Sequence, residues 1–170
     1  MSDREMIVRW EDPAEALAQL PHLDGIDYLR KMQAGEIPGA PIAGHVAMEL
    51  TEVAEGTVTF TSTPDESHYN PIGMVHGGLV CTLLDSALGC AAQTLLPAGT
   101  GYTSIEIHVN YLRPVTSQSA PLTCVGRVVK PGRRVTFAEG EVRDARGNTV
   151  ATATGSLLIF PIDGSPAAAS

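Results

Sequence analysis

The hydrophobic pattern changes period along this chain, and each change marks an element. From His45 to Val53 (HVAMELTEV), Val46, Met48 and Leu50 alternate with Ala47, Glu49 and Thr51. This period of two predicts a half-buried strand. Glu55-Gly56 reads as the turn, and Thr57 to Thr61 as the return strand with Val58 and Phe60 inward. Between Leu79 and Leu96 the alternation disappears. Leu79, Val80, Leu83, Leu84, Ala87, Leu88, Ala91, Ala92, Leu95 and Leu96 run through it with no proline and no β-branched cluster. That favours a helix. Its wheel is apolar on nearly every side, so it is expected to be buried all round. Pro97, Gly99 and Gly101 stop it, and alternation resumes.

Thr103 to Leu112 sets Ile105, Ile107, Val109 and Tyr111 against Ser104, Glu106, His108 and Asn110. Strands are also predicted for Pro121–Val129, Val135–Arg143 and Thr149–Phe160, joined by turns at Lys130–Arg133 and Asp144–Asn148. Two strands, a long buried helix and four hairpin-linked strands predict an α+β fold. Short connections make its sheet antiparallel, and an all-round apolar helix calls for a curved sheet wrapped around it.

Residues 1–41 read as a helical leader. Asp12 can cap a helix to Leu20 with Pro13 at its first position, and Gly35 closes a second helix over Asp24–Ala34. The leader is expected to pack over the main sheet. The main domain is expected over 42–162, and the small polar tail 163–170 (DGSPAAAS) is expected to be disordered.

Length and composition suit one soluble domain. The formal charge of −8 argues against nucleic-acid binding. The apolar run is interrupted by Asp85 and too short to span a membrane. The charged start MSDREMIVRWED does not read as a signal peptide, so a cytosolic protein is expected. Cys81, Cys90 and Cys124 form no CxxC pair and are expected to be packing residues, without disulfides. The histidines show no tight ligand spacing, so no metal site is expected.

The candidate chemistry lies between His68 and Leu96. A turn-rich loop with Asn70, Pro71 and Gly73 leads to His76-Gly77-Gly78 at the start of the helix. Asp85 is the one ionisable side chain inside the apolar run, and an embedded carboxylate must be paired, hydrogen-bonded or working. Gly77 and Asp85 are eight residues apart, hence about 12 Å along one helix and roughly 80° around it. A short Asp side chain does not close that gap. If the helix tip and Asp85 act on one substrate atom, two copies of the helix must supply them at a subunit interface.

These segments together (NPIGMVHGGLVCTLLD, then SIEIHVNYLRP, then VVKPGRRV) resemble the PaaI-like acyl-CoA thioesterases of the hotdog-fold superfamily. The similarity spans roughly His45 to Phe160. It implies a helix wrapped by an antiparallel sheet, homodimers or dimers of dimers, and a site built across the dimer interface. It assigns Gly77 the N–H that polarises the thioester carbonyl. Asp85 becomes general base or nucleophile, and Asn70 holds the attacking water or the thioester. It makes His76 an orienting partner and Ser104, more loosely, a hydroxyl that orients water. Simple alternation sets Ser104 on the face away from Ile105 and Ile107, so Thr103 is its rival.

Of eleven Lys and Arg, seven lie between Arg113 and Arg146. Arg113, Lys130, Arg133 and Arg134 are the candidates for the phosphates of coenzyme A, which enters as part of the substrate rather than as a cofactor. The competing readings are an acyl-thioester hydratase or dehydratase of the same fold, using His76 and Asp85, and a non-catalytic acyl-CoA-binding module.

Overall fold

The computed structural model describes residues 3–162; the tail 163–170 lies outside the described residues. The strands are β1 (Met48–Ala54), β2 (Thr57–Ser62), β3 (Thr100–Tyr111), β4 (Leu122–Lys130), β5 (Val135–Arg143) and β6 (Thr149–Pro161). The helices are α1 (Pro13–Leu17), α2 (Gly25–Gln33), α3 (Ile42–His45) and α4 (Gly77–Gln93). All six strands form one antiparallel sheet in the order β1-β2-β4-β5-β6-β3. Helix α4 lies across the inner face of this sheet, against β2 through β6.

Four expectations need correction. The strand expected from His45 begins at Met48. His45 instead ends the helical turn α3, and Ala47 takes a left-handed φ of 47° that breaks the extended run. The first leader helix stops at Leu17 rather than Leu20. Of the four strands after α4, only β4, β5 and β6 are hairpin-linked, because β3 pairs with β6 and forms an edge of the sheet. Finally, α4 is not buried all round. Leu79, Val80, Leu83, Leu84, Ala87, Leu88, Ala91 and Ala92 are buried, while Gly78 and Asp85 are exposed and Cys81, Thr82 and Ser86 half-exposed. These five share a stripe at helical spacing, so the acid stands on the open side of the helix.

Close backbone approach fixes how α4 meets the sheet. A Cβ on Gly126 of β4 would lie 2.3 Å from the Ala87 carbonyl oxygen, so only glycine fits there. Leu83, Leu84 and Leu88 fill the space between helix and strands together with Val58, Leu122, Cys124, Val142 and Leu157.

The leader is tied to the far end of α4 and to β1. Asp12 caps α1 by accepting from the Ala14 N–H. The Gly25 N–H donates to the Leu96 carbonyl at 2.9 Å, and Asp24 Oδ1 accepts from the Ala98 N–H at 2.9 Å. Gln33 Nε2 donates to the Thr51 carbonyl, and Tyr28 and Leu29 join the main core.

Candidate active site

The loop before α4 is held by its own polar groups. Asn70 Oδ1 accepts from the Ile72 and Met74 N–H groups at 3.1 and 3.2 Å, and the Asn70 N–H donates to the Met74 carbonyl at 2.7 Å. Gly73, at φ +80°, supplies the left-handed turn. With Oδ1 committed, the Asn70 amide Nδ2 is left as donor. The loop is fastened to the body by Val75 N–H to the Val115 carbonyl and His76 N–H to the His68 carbonyl, both 2.8 Å.

His76 is the N-cap of α4: its Nδ1 accepts from the Gly78 N–H at 2.8 Å. This engages one of the orphan amides of the first turn. The neutral ring then carries its proton on Nε2. The Gly77 N–H, at the positive end of the helix, has no acceptor among the described residues. Tyr111 covers this tip. Its hydroxyl donates to the Gly77 carbonyl at 2.9 Å, and a Cβ on Gly77 would come within 3.2 Å of its ring.

Asp85 lies two turns further along α4. The Ser104 hydroxyl donates to its Oδ1 at 2.6 Å. A bulge brings Ser104 there. Ser104 pairs with Leu157 and Glu106 with Ser156, so Ile105 is an extra residue without an opposite number. The register shift puts Ser104 on the same face as Ile107, Val109 and Tyr111, whose partners Gly155, Ala153 and Ala151 face α4. Thr103 pairs with Leu158 on the other face, so Ser104 rather than Thr103 meets the acid.

The described chain therefore carries two groupings on one open stripe: a tip of Asn70, His76, Gly77 and Tyr111, and an acid pair of Asp85 and Ser104. Helix α4 is continuous between them, which keeps them about 12 Å apart. Cys81 sits midway, and its thiol is raised above its ordinary range by burial and by the Asp85 carboxylate. Tyr111 escaped the sequence reading, although it is the last inward residue of the alternating strand that leads into LRP.

The cations are not brought together within one chain. The Arg113 N–H bonds the Val150 carbonyl at the start of β6, whereas the Arg134 carbonyl accepts from Ile159 near its end. Nine strand residues separate these points, about 30 Å. Arg113 thus lies at the helix-tip end, while Lys130, Arg133 and Arg134 lie at the end nearer Ser104; all four are exposed. Among the described residues no group of three or more His, Cys, Asp or Glu converges on a metal position, and no helix is long and apolar enough to cross a membrane.

A helix laid across a six-stranded antiparallel sheet, with a glycine tip and an acid on its open side, is the hotdog architecture. The model of the Thioesterase superfamily matches residues 72–151, which hold His76, Gly77, the acid and the bulge but not Asn70. A provisionally named esterase of Saccharolobus solfataricus is 36% identical over 88 residues, 52% of this chain and 61% of the relative. The chain spans about six-tenths of the length of this and two other curated relatives it matches. Human acyl-coenzyme A thioesterase 13 is 27% identical over 109 residues, 64% of this chain and 71% of the relative. A phenylacetic acid degradation-related protein from Ralstonia eutropha superposes with a TM-score of 0.70 at 27% identity, covering 77% of this chain and 98% of that one. The E. coli PaaI protein gives 0.68 at 21% identity, covering 84% and 98%. The chain has the hotdog fold, and over residues 72–151 it is similar to the Thioesterase superfamily. It shares that fold with the PaaI protein.

Proposed function

We propose that this chain hydrolyses acyl-CoA thioesters to the free acid and coenzyme A, at two sites of a homodimer. The observation that carries the reading is the pair of groupings on one helical stripe. A free helix-tip N–H and a hydrogen-bonded acid suit one carbonyl, yet stand about 12 Å apart along a single rigid helix. A second copy running the other way would bring its Asp85 and Ser104 to the first copy's Gly77. Edge strand β3 suits that pairing: its outer backbone is unpaired among the described residues, and Ile105 and Tyr111 are each 55% exposed. The similarity to a human acyl-coenzyme A thioesterase supports the substrate class.

The thioester oxygen accepts from the Gly77 N–H, where the helix dipole favours the charge that develops on it. Asp85 takes a proton from water as the water oxygen bonds to the carbonyl carbon, or its own oxygen attacks to form a mixed anhydride that water then opens. Ser104 holds the carboxylate in place. Asn70, through its Nδ2, orients the attacking group. Collapse of the tetrahedral intermediate breaks the C–S bond, and the coenzyme A thiolate leaves and takes up a proton. Arg113 from one end of the sheet and Lys130, Arg133 and Arg134 from the other flank the entrance once two chains are paired. The phosphates of coenzyme A are their partners.

The hydratase reading would need His76 as a proton carrier; its Nδ1 is engaged by Gly78, which favours hydrolysis. The test is a panel of aryl-, short- and medium-chain acyl-CoA thioesters followed with a thiol reagent. Thiol release that scales with enzyme supports the reading. Hydration of an enoyl-CoA without thiol release would replace it.

A further inference from the structure

Behind the acid pair lies a cavity that this mechanism does not use. It has a volume of about 450 Å³ and lies between the leader and the main domain, open to solvent on one side. Leu20, Leu29 and Met32 line it from the leader, with Cys90, Tyr102 and Phe160 on the opposite side. Among the described residues no charged side chain lines it. Its polar groups are neutral: Tyr102 and Cys90 face one another, and burial pushes the Cys90 thiol up to about 12 and the Tyr102 hydroxyl well above its ordinary range.

The cavity lies along the same two elements as the acid pair. Cys90 follows Asp85 by five residues on α4, about 7.5 Å of rise. Tyr102 precedes Ser104 by two on the same face of β3, about 7 Å. The two elements that present the acid and the hydroxyl therefore run on as the cavity's inner wall. The outer wall is fixed by backbone. Leu20 accepts from the Gly99 N–H at 2.9 Å, Gly25 donates to Leu96, and a Cβ on Gly25 would fall 1.8 Å from the Gln93 oxygen.

We propose that this leader-walled cavity takes the distal part of an aliphatic acyl chain of medium length. The inference rests on the hydrolase reading for the position of the carbonyl beside Asp85. An apolar, uncharged lining suits methylenes rather than hydroxyl or carboxyl groups. Gln93, at the far side, is about 12 Å along α4 from Asp85. An aryl group held close to its carbonyl stops short of this cavity, whereas an extended octanoyl chain reaches past Cys90 into it.

The test compares acetyl-, phenylacetyl- and octanoyl-CoA on the full chain and on Met32→Trp and Ala40→Phe. Both changes fill the cavity, and Ala40 is an exposed wall position where a larger side chain is tolerated. The octanoyl-to-acetyl ratio of kcat/KM is expected to exceed ten in the unmodified chain and to fall at least about tenfold in each variant, since even one methylene is worth that much in an apolar pocket. Binding is read separately by calorimetry in the Asp85→Asn chain, without turnover. There octanoyl-CoA is expected to bind at least about tenfold more tightly than free coenzyme A, with Met32→Trp erasing the difference. A ratio near one, or one that both folded variants leave unchanged, overturns the pocket. Tighter octanoyl-CoA binding without thiol release from any substrate overturns hydrolysis and upholds the pocket.

Discussion

Ser104 on β3 donates its hydroxyl to the Asp85 carboxylate on α4 at 2.6 Å, and it reaches the acid because Ile105 bulges out of the strand. The acid is thus oriented from the sheet while remaining on the open side of its helix. Asp85→Asn is expected to lower kcat by at least about a hundredfold, the scale of a lost general base. Stability is expected to change little, because the replaced group is exposed. Ser104→Ala should lower kcat less, since it removes an orienting bond and leaves the acid. Thiol release beside a thermal melt checks both; near-normal turnover by Asp85→Asn would remove the mechanism.

The separation of Gly77 from Asp85 carries a second expectation. The chain should be a dimer or larger in solution, with activity following the assembled fraction. Ile105→Lys places a charge on the exposed bulge of the edge strand. It is expected to favour the monomer and to lower activity in proportion. Light scattering together with an activity dilution series decides this. A monomer with full specific activity would defeat the two-helix site.

Much of this geometry was legible before any coordinates. The Gly77 tip, the eight-residue interval to Asp85 and the gap that a two-helix site would close follow from sequence and helix rise alone. Ser104 was ambiguous because period-two alternation cannot reveal a bulge, which depends on pairing with Leu157 and Ser156 far along the chain. The exposure of Asp85 is hidden by the count of apolar residues and shows only when Gly78, Cys81, Thr82, Asp85 and Ser86 are placed on the helix as an i, i+3, i+4, i+7, i+8 stripe. Strand order was illegible for a related reason. Nothing local in Thr100–Tyr111 says that its partner is β6 rather than the next strand, β4.

His76 separates capping from catalysis. Its Nδ1 takes the place of the Asn, Asp or Ser oxygen usual at an N-cap. His76→Ala is expected to lower stability by about 1 kcal/mol and His76→Asn by much less. If the ring acts by holding the tip, turnover should recover in His76→Asn along with stability. Denaturant midpoints beside kcat for the two variants distinguish this from a proton-carrying role, which asparagine would not restore.

Gly126 tests how α4 seats on the sheet. An added Cβ would fall 2.3 Å from the Ala87 oxygen and 2.4 Å from its carbon. These are backbone atoms, so Gly126→Ala must displace the helix, at a cost of about 3 kcal/mol or more. At Gly140 the nearest atom is the flexible end of Leu88, at 2.7 Å, and Gly140→Ala should cost less. Urea unfolding of the two variants gives the comparison. Equal losses would mean that Gly126 is not the seat.

The buried thiols set the alkaline limit of the fold. Burial pushes Cys90 and Cys124 up to about 12 from an ordinary 9, and raises Tyr102 well above its ordinary range. The folded state therefore keeps protons that the unfolded chain has lost. This contribution is fully present below pH 9 and declines as pH rises towards 12. Each fully responding thiol should remove about 1.4 kcal/mol of stability per pH unit across that window. Cys124→Ala takes away one such group, so its stability should start lower at pH 8 but fall less steeply above pH 9. Urea midpoints at half-unit steps from pH 8 to pH 11 measure both slopes. Parallel curves for the two proteins would mean that the Cys124 thiol ionises alike folded and unfolded.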